Sequence, residues 1–78
     1  MTVTAYVLIQ TEVGRAEKVA KESRAIKGVI DADNVAGPYD VIVKAEAQSL
    51  DDLGKLVVSQ IQAVDGITRT FTCPVVNL

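Results

Sequence analysis

Four strand-like apolar runs alternate with two stretches of helical periodicity, and their order leaves few folds open. From Val3 to Gln10 nearly every residue is apolar, many of them β-branched or aromatic, as in a strand covered on both faces. Thr11-Glu12-Val13-Gly14 breaks that run. From about Arg15 to Ile26, Ala16, Val19, Ala20 and Ser23 share one helical face and charges take the other. Lys27-Gly28 closes this helix, a basic residue followed by glycine. The second run, Val29 to Val35, carries Asp31 and Asp33 on one side, which suits an edge strand. The third, about Asp40 to Glu46, alternates Val41, Val43 and Ala45 with Ile42 and Lys44. Ser49 then reads as a helix N-cap followed by Asp51 and Asp52 in the first turn. Leu50, Leu53, Val57, Ile61 and Val64 form an apolar stripe that Asp65-Gly66 ends. The last run extends from Ile67 to about Val76. Its Pro74 cannot donate to a ladder, so this strand too belongs at an edge.

The order β-α-β-β-α-β, with a Lys-Gly-Val junction in one half and Asp-Gly-Ile in the other, is the split βαβ pattern of an α+β, ferredoxin-like fold. Its antiparallel strand order 4-1-3-2 places the second and fourth strands at the edges, where the Asp pair and Pro74 fall. A single domain over residues 1–78 is expected. Two helices cover only one face of the sheet, and Ala5, Val7, Ile9, Val41, Val43 and Ala45 are the natural set for it. The opposite phase is expected to hold Tyr6, Leu8 and Ile42 with Thr68, Thr70 and Thr72. Too apolar to leave in water, that face is expected to meet a second subunit, sheet against sheet, with Tyr6, Leu8 and Ile42 at the interface.

Composition points the same way. A chain of 78 residues builds a core of marginal stability unless something supplements it. Cys73 is the only cysteine, which excludes an intramolecular disulfide, and histidine is absent, so neither a cysteine-histidine metal site nor a histidine-based catalytic arrangement is expected. Association of copies is the remaining supplement, in keeping with a hydrophobic content of 49% and a mean hydropathy of +0.26. The net charge of −2 argues against a nucleic-acid surface. Lys18, Lys21, Arg24 and Lys27 are interspersed with Glu17 and Glu22, as on a solvated helical face. No apolar stretch approaches the roughly 20 residues that span a bilayer, and the N-terminus carries no basic leader, so the expected location is the cytoplasm.

The feature with most chemical content is the central hexapeptide Val35-Ala36-Gly37-Pro38-Tyr39-Asp40. Gly37 permits a backbone that other residues resist, and Pro38 fixes φ and removes a donor. Tyr39 and Asp40 put a phenol and a carboxylate at the mouth of the third strand. Two readings stand side by side: a hairpin turn in which Asp40 satisfies local amides, or a turn that binds a ligand.

With the fold reached, Ala5-Tyr6-Val7-Leu8-Ile9, the hairpin stretch Val35 to Ile42, and Gly66-Ile67-Thr68-Arg69-Thr70-Phe71-Thr72 give the chain a specific resemblance. Over essentially its whole length it resembles the C-terminal effector-binding (RAM) domain of the Lrp/AsnC transcription regulators. The resemblance implies dimers of facing sheets (a dimeric α+β barrel), assembly into an octameric or decameric ring, and an amino-acid effector held where dimers meet. Gly37, Tyr39 and Asp40 match the family's hairpin and are the expected ligand-binding residues: Asp40 for an ammonium, amides near Gly37 for a carboxylate. Thr70 and Thr72 match its strand-four threonines and would add hydroxyl contacts, although β-propensity alone also explains them. Pro38 removes one amide from such a site. For Arg69 an ion pair between strands or subunits is expected, and for Cys73 a role as a small buried hydrophobe. The chain starts at the first strand of the effector domain, which suggests a stand-alone form without the helix-turn-helix, with full-length Lrp/AsnC regulators as partners and no direct contact to DNA.

Two other functions fit the same topology. A small enzyme of the dimeric α+β barrel type, a monooxygenase or isomerase, would have only Tyr6, Tyr39 and Asp40 for proton handling. A purely structural oligomer would need no ligand at all. The reading carried forward is a regulatory, amino-acid-binding oligomer, not an enzyme, without cofactor or metal.

Overall fold

The computed structural model describes residues 2–77; Met1 and Leu78 lie outside the described residues. The chain runs β1 (Val3–Thr11), α1 (Ala16–Arg24), β2 (Val29–Asn34), β3 (Val41–Ala47), α2 (Leu50–Leu56), a π-helical segment Val57–Ile61, and β4 (Ile67–Pro74). All strand pairs are antiparallel and the sheet order is β2-β3-β1-β4, the ferredoxin-like arrangement, with the Asp-bearing and Pro-bearing strands at the edges. Ala5, Val7, Ile9, Val41, Val43 and Ala45 are all fully buried, packed with Val19 and Ala20 of α1 and Leu53, Val57 and Ile61 beyond β3. That is the face expected from the two-residue period.

The internal repeat has a structural counterpart. Gly28 and Gly66, which follow the two helical stretches, have φ of 100° and 103°. Each carbonyl accepts a 2.8 Å hydrogen bond from a glutamate amide, Glu46 N–H to Gly28 and Glu12 N–H to Gly66. A Cβ on Gly66 would lie 3.0 Å from Arg15 Cβ, so both conformation and space demand glycine there. Ser49 caps α2 as expected: Asp52 N–H donates to its Oγ at 3.1 Å. Arg24 Nε donates to the Ala32 carbonyl at 2.8 Å and ties the end of α1 to β2.

Among the departures from expectation, four stand out. The α1 helix is shorter than Arg15 to Ile26. Leu50 leaves the apolar stripe and is 61% exposed, because it occupies the first helical turn at the rim. The expected uniform helix passes into a π-helical turn, in which Gln62 N–H donates to the Val57 carbonyl, five residues back, at 2.8 Å. The fourth departure concerns β4 and matters most. Gln10 pairs with Arg69 but Thr11 pairs with Ile67, so Thr68 is an extra residue in a β-bulge, its Oγ1 donating to the Gln10 carbonyl at 3.2 Å. Beyond the bulge the phase is reversed. Thr70 pairs with Ile9 and Thr72 with Val7, which places both on the helix side of the sheet; Phe71 pairs with Leu8 and Cys73 with Tyr6, on the open side. The expectation that Thr70 and Thr72 share a face with Tyr6, Leu8 and Ile42 is therefore corrected. Cys73, expected buried, is exposed in the single chain for the same reason.

Candidate functional site at the hairpin corner

The turn between β2 and β3 is held to the end of β1 by a dense set of bonds. Val35 N–H donates to the Asp40 carbonyl at 3.0 Å and closes the loop, whose Gly37 has a φ of 147°. Asp40 N–H donates to the Ile9 carbonyl at 2.9 Å, and Thr11 N–H donates to Asp40 Oδ2 at 2.8 Å. From β1, Gln10 Nε2 donates to the Pro38 carbonyl at 3.0 Å. The carboxylate thus serves as the last acceptor of the β1–β3 ladder, where the backbone of β3 has turned away. This fits the local reading of Asp40. Its Oδ1 accepts no hydrogen bond among the described residues.

Tyr39 leans over the open side of the sheet. Its ring meets Phe71 edge-on, centroids 5.8 Å apart and planes at 75°. On the Phe71 ring also lies the Arg69 guanidinium, with Cζ 4.6 Å from the centroid. Tyr39, Phe71 and Arg69 form an aromatic-cationic cluster, joined to the hairpin corner through Tyr39, the neighbour of Asp40 in sequence. Arg69 makes no ion pair among the described residues, so the expected inter-strand pair is replaced within the chain by stacking on Phe71. Phe71 and Gln10 escaped the sequence reading: the bulge that brings Phe71 to the open side leaves no mark in the hydrophobic pattern.

Gly37, Tyr39 and Asp40 come together at this corner, and Tyr6, Leu8 and Ile42 lie next to one another on the open face. Thr70 and Thr72 do not join them. Thr70 Oγ1 accepts a 2.8 Å bond from Gln62 Nε2, at the end of the π-helical segment, and borders a shallow groove formed by Gln62, Ile67, Thr68, Arg69 and Thr70. The described residues contain no cluster of acidic or cysteine side chains suited to a metal ion. Among them, no helix is long and apolar enough to cross a membrane.

The comparisons with known proteins agree with this architecture. A regulator of the helix-turn-helix type from Pyrococcus furiosus, PF0250, itself uncharacterised, is 33% identical over 72 residues, which cover 88% of this chain and 48% of that protein. The chain spans about half the length of the curated relatives it matches. Among solved structures, hypothetical protein PHS023 from Pyrococcus horikoshii superposes with a TM-score of 0.88 at 33% identity, covering 97% of this chain and 92% of that one. The transcriptional regulator NMB0573 of Neisseria meningitidis, solved as a complex with L-Met, shares the fold with a TM-score of 0.83 at 14% identity, over 96% of this chain and 50% of that one. The family model described as the Lrp/AsnC ligand binding domain matches residues 4–77, and the chain belongs to that family.

Proposed function

We propose that this domain is a regulatory module that binds an amino acid at the hairpin corner and does so as an oligomer. The observation that carries the reading is the pairing of an anchored carboxylate with an aromatic-cationic cluster. Asp40 is held by Thr11 N–H through one oxygen while the other accepts no hydrogen bond among the described residues, and Arg69 lies on Phe71 next to Tyr39. A carboxylate suits the ammonium of an amino acid, and the guanidinium or the turn amides near Gly37 suit its carboxylate. Family membership and the L-Met complex of the structurally similar NMB0573 support the choice of ligand class. Thr70 and Thr72 lie on the far side of β4 from Tyr39, so they enter a site only across a boundary between copies, as in a ring of dimers. Octameric and decameric rings, and mixed assembly with full-length Lrp/AsnC regulators, are the corresponding modes of action.

The test is a thermal-shift screen of the full chain with the twenty amino acids. At least one is expected to raise the melting temperature, since a ligand at a hundred times its Kd stabilises by about 2.7 kcal/mol. A flat response to all twenty, with assembly unchanged, overturns the proposal.

A further inference from the structure

Gln10 stands where the two halves of the proposed site meet. It pairs with Arg69 of β4, and its carbonyl accepts the 3.2 Å bond from Thr68 Oγ1 in the bulge. The next residue, Thr11, turns its N–H the other way, to the Asp40 carboxylate at 2.8 Å. Ile9 is fully buried, so the two-residue period brings the Gln10 side chain to the open side, with Tyr6 and Leu8. From there its carboxamide reaches a residue 28 positions away and donates from Nε2 to the Pro38 carbonyl at 3.0 Å. A carbonyl can only accept, so the contact also fixes which way the carboxamide is turned, nitrogen towards the hairpin.

The tip of the hairpin is otherwise lightly held. Val35 N–H to the Asp40 carbonyl and Asp40 N–H to the Ile9 carbonyl close the loop at its base. Beyond that base, Ala36, Gly37 and Pro38 are exposed, and a Cβ built on Gly37 would meet no heavy atom within 4 Å. Packing therefore does little to fix this part of the turn, and Pro38 has no N–H to tie it down. Among the described residues, two contacts reach past the base: the Gln10 amide on Pro38 and the Tyr39 ring on Phe71. The first has a consequence for the neighbouring peptide group. The Pro38–Tyr39 bond is trans, so the Pro38 carbonyl and the Tyr39 N–H lie in one plane and point in opposite directions. Holding the carbonyl therefore aims the amide. Tyr39 N–H donates to nothing among the described residues, and it is one of the turn amides near Gly37.

We infer that Gln10 is a positioning residue of the amino-acid site: by holding the Pro38 carbonyl it fixes the Tyr39 amide as a donor to the ligand's carboxylate. This rests on the ligand reading above, and the experiment separates the failure of one from the failure of the other. The full chain is compared with Gln10→Met, which matches glutamine in length but lacks the donor, and Gln10→Lys, which offers an N–H to the same carbonyl. Three quantities are read: the Tyr39 amide and ring resonances by NMR, the urea midpoint, and the Kd of the amino acid that gives the wild-type chain its largest thermal shift. Gln10→Met is expected to displace the Tyr39 resonances and to weaken binding about tenfold, equivalent to about 1.4 kcal/mol, while the urea midpoint stays close to wild type. Gln10→Lys is expected to recover most of the affinity and to return the resonances towards their wild-type positions. Unchanged affinity in Gln10→Met, or a loss that Gln10→Lys does not recover, overturns the inference. A loss of affinity with the Tyr39 resonances unmoved also overturns it, because Gln10 would then act by touching the ligand. A wild-type chain that binds none of the twenty amino acids defeats the ligand reading; displaced Tyr39 resonances in Gln10→Met still support Gln10 as the residue that aims this amide, and unmoved ones overturn that as well.

Discussion

Thr11 and Asp40, 29 positions apart in sequence, meet through a 2.8 Å hydrogen bond from the Thr11 amide to the Asp40 carboxylate. On the other side of β1 the pairing with β4 shifts at the same point, between Gln10 and Thr11. The hairpin corner and the bulge thus flank one position of one strand, and the carboxylate supplies the acceptor that neither neighbouring backbone provides. Asp40 therefore carries a structural duty as well as its proposed ligand contact.

Substitution separates the two duties. Asp40→Ala leaves the Thr11 amide without its charged acceptor and is expected to cost about 1–3 kcal/mol. Asp40→Asn retains an oxygen for Thr11 N–H and is expected to cost less. Both variants are expected to lose the amino-acid response. Urea unfolding and ligand-induced thermal shifts check the pair; a stable Asp40→Asn that still responds to ligand removes the carboxylate from the site.

On the open face, Ile42 and Tyr6 occupy the centre of neighbouring rows beside Leu8. Ile42→Asp or Tyr6→Asp places a charge at the middle of the expected seam, where it would be buried without a partner. The expected result by light scattering is a shift from oligomers to monomers or to disordered aggregates. Variants that retain the wild-type mass would show that this face is not the seam.

Glycine positions differ sharply in what they tolerate. At Gly66 a Cβ meets Arg15 Cβ at 3.0 Å and φ is 103°, so Gly66→Ala is expected to destabilise by about 1–2 kcal/mol from backbone conformation alone. Gly54 lies within α2, exposed, and an added methyl there would meet no heavy atom within 4 Å outside its own stretch of helix. Gly54→Ala is expected to stabilise by about 0.5–1 kcal/mol through reduced freedom of the unfolded chain. Chemical denaturation midpoints give both signs.

Ser23, on the buried face of α1, is fully buried, and its Oγ has no hydrogen-bond partner among the described residues. Ser23→Ala removes a desolvated hydroxyl and improves helix propensity, with a gain of about 1 kcal/mol expected in the same denaturation series. A loss of stability would mean that the hydroxyl is satisfied, by bound water for example.

The chain by itself determined the element order, the edge strands and the core. Strand-like and helical periods, the Asp pair, Pro74, the Ser49 cap and the two Gly junctions are local or pattern properties, and Val7, Ile9, Val41 and Val43 are buried as their alternation requires. Tertiary structure alone decided the phase of β4, and with it the site. Alternation says that Thr70 and Phe71 face opposite ways, not which of them faces the helices. One extra residue at Thr68, set by pairing with Gln10 and Thr11, turned Phe71 and Arg69 to the open side and Thr70 to Gln62. A bulge is a relation between two strands, and its position is settled by their registered hydrogen bonds and not by the side-chain pattern of either strand.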